Sequence, residues 1–168
     1  MTHYRDRAEA GRVLGELVAR RAGLMRPVVV GLPRGGVPVA AGVARRVEAP
    51  LVVMPVGKVG APGQEELAVG AVAPGGVRVI NDEVVQALGL TGDEVEGLVA
   101  KAAAKVSDQL RSYLSHGGQA TTALAGRPVV VVDDGLATGA TMWAALTAAR
   151  GQGAERLVLA VPVAPPSV

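Results

Sequence analysis

One stretch constrains this chain more than any other: VVVVDDGLATGATM, from Val129 to Met142. Valines run without interruption into two adjacent carboxylates, Asp133 and Asp134. A short apolar run bounded by turn residues suits a strand buried on both faces, as in a parallel sheet. A loop of small residues with two hydroxyls, Thr138 and Thr141, comes next, then an alanine-rich apolar segment that reads as a helix. Strand, turn and helix start therefore follow one another directly. Acids and the free N–H groups of a helix N-terminus meet at the carboxyl end of a buried strand, where open α/β sheets bind ligands.

The rest of the chain extends this pattern. Asp6 to Ala22 has helical apolar spacing at Ala10, Leu14, Leu17 and Val18, with a capping pair in Asp6 and Glu9 and a stop at Gly23. Pro27 to Gly31 is an apolar strand that runs through LPRGG into a helix ending at Val47, and Leu51 to Val56 is a further strand. The glycine-rich segment 57–76, with Lys58 near its start, is expected to be a mobile loop, with short strands inside it as the alternative. Val77 to Ile80 reads as a strand and Val84 to Leu88 as a short helix. Thr91 and Glu94 form a second capping box. It opens a long amphipathic helix with its stripe at Val95, Leu98, Val99, Ala102, Val106, Leu110, Tyr113 and Leu114, stopped by Gly117 and Gly118. Trp143 to Arg150 continues the helix after the acidic pair, with Trp143 expected in the core, and Leu157 to Val161 is the last strand. The alternation predicts one α/β domain over 1–168, a parallel sheet of about five strands with helices on both faces. Right-handed crossovers then gather the loops that follow the strands on one edge.

Composition removes several functional classes. The 168 residues include no cysteine, which excludes thiol catalysis and thiolate metal sites. The histidines are His3, at the terminus, and His116, beside two glycines, so neither suggests a metal site or a triad. No serine lies in a G-x-S-x-G elbow. A net charge of +2 with scattered basic residues, one Trp and two Tyr gives no nucleic-acid surface. No apolar run approaches a membrane span, and the polar start has no signal-peptide core, so a soluble cytoplasmic protein is expected.

Three loops converge at the predicted edge. They carry Arg34 with Gly35 and Gly36, then Lys58, then the turn from Asp133 to Thr141. Two cations and two glycine-rich anion cradles suit a ligand with phosphates at two ends, and the acids between them suit hydroxyl groups or a divalent ion. Taken singly, each has an ordinary explanation: a helix-capping acidic pair, a tight βα connection, a solvated lysine. Neither G-x-x-x-x-G-K-[ST] nor G-x-G-x-x-G occurs.

Together these segments resemble the type I phosphoribosyltransferases. VVVVDDGLATGATM resembles their phosphoribosyl pyrophosphate (PRPP) motif, and GLPRGG resembles their pyrophosphate loop. KVGAPGQEELAVGAV is similar to a bacterial branch of phosphoribosyltransferase-domain proteins, and the resemblance runs from about Arg5 to Val163. It implies a Rossmann-like fold and Mg2+-dependent transfer of 5-phosphoribosyl from PRPP to a nitrogenous base, releasing pyrophosphate. In that resemblance Asp133 and Asp134 hold the ribose hydroxyls and lie near Mg2+, reached mainly through those hydroxyls and water. Ala137, Thr138, Gly139, Ala140 and Thr141 match the loop that wraps the 5-phosphate, and Gly135 and Leu136 belong to the same PRPP-binding set. Arg34, Gly35 and Gly36 form the pyrophosphate turn, whose peptide is often non-proline cis, and Lys58 stands beside the pyrophosphate. Arg34, Lys58, Asp133 and Asp134 are the implied catalytic set, and the segment after Lys58 is the candidate for a loop that shields PRPP from water.

Two departures matter. Ala137 stands where the 6-oxopurine enzymes carry an aspartate, which argues against hypoxanthine or guanine as acceptor. Family members continue past the last strand into a further strand and a hood segment that contacts the base. This chain stops at Val168, so that segment is expected to be cut away or the acceptor site differently built. The rival expectation is a non-catalytic PRPP- or nucleotide-binding regulatory or partner domain. The expected partners are PRPP, pyrophosphate and a nucleobase, with a homodimer and without nucleic acid or membrane.

Overall fold

The computed structural model describes residues 4–21, 23–115, 124–136 and 139–165. The elements run α1 (Arg7–Arg21), β1 (Val28–Gly31), α2 (Gly36–Arg46), β2 (Leu51–Val53), β3 (Gly57–Ala61), β4 (Gln64–Ala73) and β5 (Val77–Ile80). They continue with α3 (Asp82–Leu88), α4 (Gly92–Ser115), β6 (Pro128–Val132), α5 (Ala140–Gly151) and β7 (Arg156–Ala160).

A parallel sheet of order β2-β1-β6-β7 forms the centre. Strands β1 and β6 lie side by side with Val30 opposite Val131 and Gly31 opposite Val132. Their valines are buried on both faces, which is why the runs are uninterrupted. The period of two sorts them. Val29, Val130 and Val132 face α1 and α2, while Val28, Val30, Val129 and Val131 face α5. Helix α5 meets the sheet through Ala144, Ala145, Ala148 and Ala149.

Helices α1 and α2 cross almost backbone to backbone. A β-carbon on Gly42 would lie 2.6 Å from the carbonyl carbon of Gly11, and one on Gly11 would lie 2.5 Å from the Val39 carbonyl oxygen. This contact fixes where the first turn of α1 points.

The parallel sheet has four strands rather than about five, because Val77–Ile80 belongs elsewhere. As β5 it pairs antiparallel with β4, and β4 pairs antiparallel with β3, in a separate three-stranded sheet. The glycine-rich segment expected as a loop is the β3–β4 hairpin, turned at Pro62 and Gly63, the latter at φ 72°. One side of this sheet, with Val59, Val69 and Val72, packs on Ala102 and Val106 of α4. Ala71 and Ala73 on its other side join the α5 core.

The helix signals hold with small shifts. The Thr91–Glu94 capping box forms, with the Thr91 N–H donating to Glu94 Oε2 at 2.8 Å and the Glu94 N–H to Thr91 Oγ1 at 3.3 Å. Asp6 caps α1 by accepting from the Glu9 N–H at 2.8 Å, but the Glu9 carboxylate takes Arg5 instead of closing the box. The α4 stripe is buried at Val95, Ala102 and Val106, whereas Leu114 is exposed. His116, Gly117 and Gly118 lie outside the described residues. Among the described residues, no helix is long and apolar enough to cross a membrane.

Candidate functional site

Because β1 and β6 are neighbours in register, the segments that leave them emerge side by side. The Leu32 N–H donates to the Val132 carbonyl at 3.0 Å, extending the pairing one step past the strands. The chain after β1 then turns through Pro33 and Arg34, joined by a cis peptide bond, to Gly35 and Gly36 at the start of α2. The chain after β6 carries Asp133 and Asp134 into the same space. A β-carbon on Gly36 would lie 2.8 Å from Asp133 Cα and 2.9 Å from its Oδ1. One on Gly35 would overlap the Asp134 carboxylate. The turn and the acidic pair expected from the sequence are thus one packed unit.

The two acids differ in surroundings. Burial pushes the Asp133 carboxyl up to about 6, against the opposing effect of the Asp134 N–H, which donates to Asp133 Oδ1 at 2.8 Å. The neighbouring Asp134 charge pushes in the same direction as burial. Asp134 Oδ2 instead accepts two hydrogen bonds from Arg7, from Nε at 2.9 Å and Nη2 at 2.8 Å. Arg7 was not visible as a site residue in the sequence: it lies in a helix with no motif, 127 positions from its partner. The exposed Arg34 guanidinium has no ion-pair or hydrogen-bond partner among the described residues.

The chain after the acidic pair leads into α5. Gly139, at φ 80°, caps α5, and Ala140 and Thr141 form its half-buried first turn, where helix N–H groups have no intrahelical partner. Gly135 is open, with only the Val163 carbonyl oxygen 3.8 Å from a built β-carbon. The Leu136 N–H donates to Val163 O at 3.0 Å and its side chain packs on the α5 core, so that amide is already committed. Ala137 and Thr138 lie outside the described residues.

Two placements depart from expectation. Trp143, expected in the core, is 62% exposed, because the alanines of α5 supply the core contact. Lys58 lies within β3, not just past β2, and its Nζ pairs with Glu66 Oε2 at 3.1 Å across the hairpin. It lines a cavity of about 310 Å³ between the hairpin and α4, together with Lys101 and Lys105. Among the described residues no hydrogen bond or ion pair joins it to the acidic pair.

The arrangement offers an anion cradle, a cation at Arg34 and carboxylate acceptors within one edge of the sheet. Hard carboxylate oxygens suit Mg2+. Among the described residues, however, no group of three or more His, Cys, Asp or Glu could hold a metal. Asp133 and Asp134 alone are too few to hold such an ion without ligands from outside the protein.

Comparison with known proteins places the chain in a family. A model of the phosphoribosyl transferase domain matches residues 6–167. Two Mycobacterium tuberculosis proteins, Rv0571c of strain H37Rv and MT0597 of strain CDC 1551, are each 45% identical to this chain over 168 residues. The match takes in all of this chain but only 37% of the length of those relatives. Among solved structures, TT1426 from Thermus thermophilus is 43% identical with a TM-score of 0.80, over 98% of this chain and 77% of that one. A purine phosphoribosyltransferase from Pyrococcus horikoshii shares the fold, with a TM-score of 0.55 at 17% identity over 98% of this chain and 77% of its own.

Proposed function

The chain belongs to the phosphoribosyl transferase domain family, and from that premise we propose that it transfers 5-phosphoribosyl from PRPP to a nitrogenous acceptor with Mg2+. The observation that carries this reading is the packing of Gly35 and Gly36 against Asp134 and Asp133. It brings the glycine turn and the acid pair to the same edge of the sheet, where they suit a pyrophosphate and the ribose hydroxyls.

In this reading Asp133 accepts hydrogen bonds from the ribose hydroxyls in its ionised form, and Arg34 with the turn's N–H groups holds the pyrophosphate. The N-terminus of α5, from Gly139 to Thr141, receives the 5-phosphate. The bond from the anomeric carbon to the pyrophosphate oxygen breaks, the bond to the acceptor nitrogen forms, and the acceptor's proton leaves to solvent or a base. Charge develops on the departing pyrophosphate, so the cationic turn stabilises the transition state more than the ground state. Mg2+ adds neutralisation of the same charge when bound. The β3–β4 hairpin, with Lys58, is the candidate cover that keeps water from the activated sugar.

Isothermal calorimetry with PRPP and Mg2+ tests donor binding, and pyrophosphate release with a panel of nucleobases tests transfer. Binding together with release supports the enzyme. Binding without release from any base supports a PRPP-binding regulatory domain, and absence of binding overturns both.

A further inference from the structure

We propose that Arg7 is a positioning residue of the donor site, holding the Asp134 carboxylate against Gly35 and so fixing the shape of the pyrophosphate turn. The inference rests on the donor-site reading above.

Both Arg7 hydrogen bonds fall on one atom, Asp134 Oδ2, at 2.9 Å and 2.8 Å. That atom is also the one nearest the space a Gly35 side chain would take, 2.0 Å from a built β-carbon. Oδ2 is therefore clamped between a guanidinium on one side and the turn on the other. The geometry separates this pair from the chain's other ion pairs. Arg5–Glu9 ties the segment before α1 to its first turn, Arg20–Glu16 joins neighbouring turns of α1, and Arg46–Glu16 joins α1 to α2. Among the described residues, only Arg7 forms an ion pair with an acid of the candidate site.

An ordinary exposed ion pair contributes little, in part because two long side chains must be ordered to form it. Here much of that ordering is done by the backbone. Gly11, one turn after Arg7, is pressed against Val39 of α2, and α2 itself begins at the turn. The Gly11–Val39 contact sets the first turn of α1 over Asp134 before the side chain chooses a rotamer. Arg7 also places a positive charge beside two adjacent carboxylates, at a place meant to receive a polyanion. Without it the Asp134 charge would face that anion uncompensated and free to rotate.

Arg7 acts through Asp134, whose carboxylate would hold the ribose hydroxyls in ground state and transition state alike, and not through the Arg34 cation that meets the developing charge. Its loss should therefore fall on KM for PRPP more than on kcat. The test compares Arg7→Ala with Arg7→Lys, which keeps the charge but loses the forked geometry. The alanine variant is expected to raise KM and the calorimetric Kd for PRPP about tenfold or more, with kcat within about threefold. The lysine variant should recover part of that loss. In ligand-free protein, the 15N amide signals of Gly35 and Gly36 should shift in Arg7→Ala and shift less in Arg7→Lys. If neither the amides nor KM respond to Arg7→Ala, the proposal is overturned. So it is if the two variants lose thermal stability alone and to equal extent. Should wild-type protein fail to bind PRPP, the donor-site reading falls, and the amide shifts alone decide whether Arg7 shapes the turn.

Discussion

Gly35 lies directly beneath the carboxylate of Asp134, with no space between turn and acid for a side chain of any size. The atom closest to a β-carbon there is Asp134 Oδ2, which Arg7 also holds, so it cannot retreat cheaply. Gly35→Ala should therefore displace either the turn or the acid. The expected cost is roughly 1–3 kcal/mol in denaturant unfolding, as for other overpacked sites, together with loss of PRPP binding by calorimetry. Gly135→Ala is the control for stability. Its nearest neighbour is Val163 O at 3.8 Å, and its midpoint should stay at the wild-type value. Equal stability of the two variants would show that the close approach at Gly35 does not exist in solution.

Asp133 should give the fold an unusual pH dependence. Its carboxyl is pushed up to about 6, chiefly by burial, whereas in the unfolded chain it titrates near about 4. Between those values the native state binds the proton more tightly than the unfolded state. Stability from this group is thus fully present below about pH 4, declines as pH rises to about 6, and is flat above. Asp133→Asn removes the slope. The variant should be more stable than wild type at about pH 8 by about 1–2 kcal/mol, a value discounted for the partial exposure of the group. Urea titrations across that range should show the gap closing toward about pH 4. A gap independent of pH would mean that Asp133 is solvated like any surface carboxylate.

The acidic pair and the glycine turn were legible because their signals are local: an unbroken valine run, an abrupt switch to acids, a glycine pair before an apolar helix. The antiparallel sheet was only partly so: β5 was read as a strand, and strands within 57–76 only as an alternative to a loop. Its alternation is interrupted by Gly57, Gly60 and Gly70, which read as loop residues. Their cause is packing that sequence does not display. A β-carbon at Gly57 would meet Val106 Cγ2 of α4 at 2.8 Å, one at Gly60 the Glu65 carbonyl at 2.7 Å, and one at Gly70 the Val79 carbonyl at 2.3 Å. Trp143 misled for the opposite reason. A large apolar residue one turn into a helix suggests core, yet Met142 and the alanines of α5 already fill its sheet-facing side, and Trp143 falls on the other. Arg7 and Asp134 meet through the docking of α1 on α2, and nothing in the sequence near Arg7 announces it.

Lys58 supplies a sharper test of the hairpin's role. Its ammonium pairs with Glu66, whose side chain is fully exposed. Such a pair contributes about 0–1 kcal/mol and is easily exchanged for a better anion. Lys58→Ala should therefore leave the melting temperature nearly unchanged. If the hairpin folds over the donor and Lys58 releases Glu66 to reach pyrophosphate, the same variant should lower kcat/KM by about tenfold or more. Glu66→Gln, which removes the ion pair and leaves Lys58 only the Glu66 carbonyl at 3.4 Å, should leave kcat/KM at the wild-type value or raise it. Unchanged kinetics in Lys58→Ala would confine Lys58 to the cavity it shares with Lys101 and Lys105.

The crossing of α1 and α2 should matter to the site although it lies away from it. A β-carbon on Gly42 would meet only backbone: Gly11 C at 2.6 Å, Gly11 Cα at 2.8 Å and Arg12 N at 3.0 Å. No flexible side chain can yield, so Gly42→Ala must push α1 outward. The expected loss of stability is about 1–3 kcal/mol. Gly97→Ala, in the exposed part of α4 with nothing within 4 Å, should instead stabilise by about 0.5–1 kcal/mol through helix propensity. Pushing α1 outward also carries Arg7, one turn before Gly11, away from Asp134. The two perturbations then act on one interaction. In a double-mutant cycle, Arg7→Ala should weaken PRPP binding far less in the Gly42→Ala background than in wild type. Additive effects on the Kd would mean that the helix crossing and the Arg7 clamp are energetically independent, and that α1 reaches Asp134 by side-chain flexibility alone.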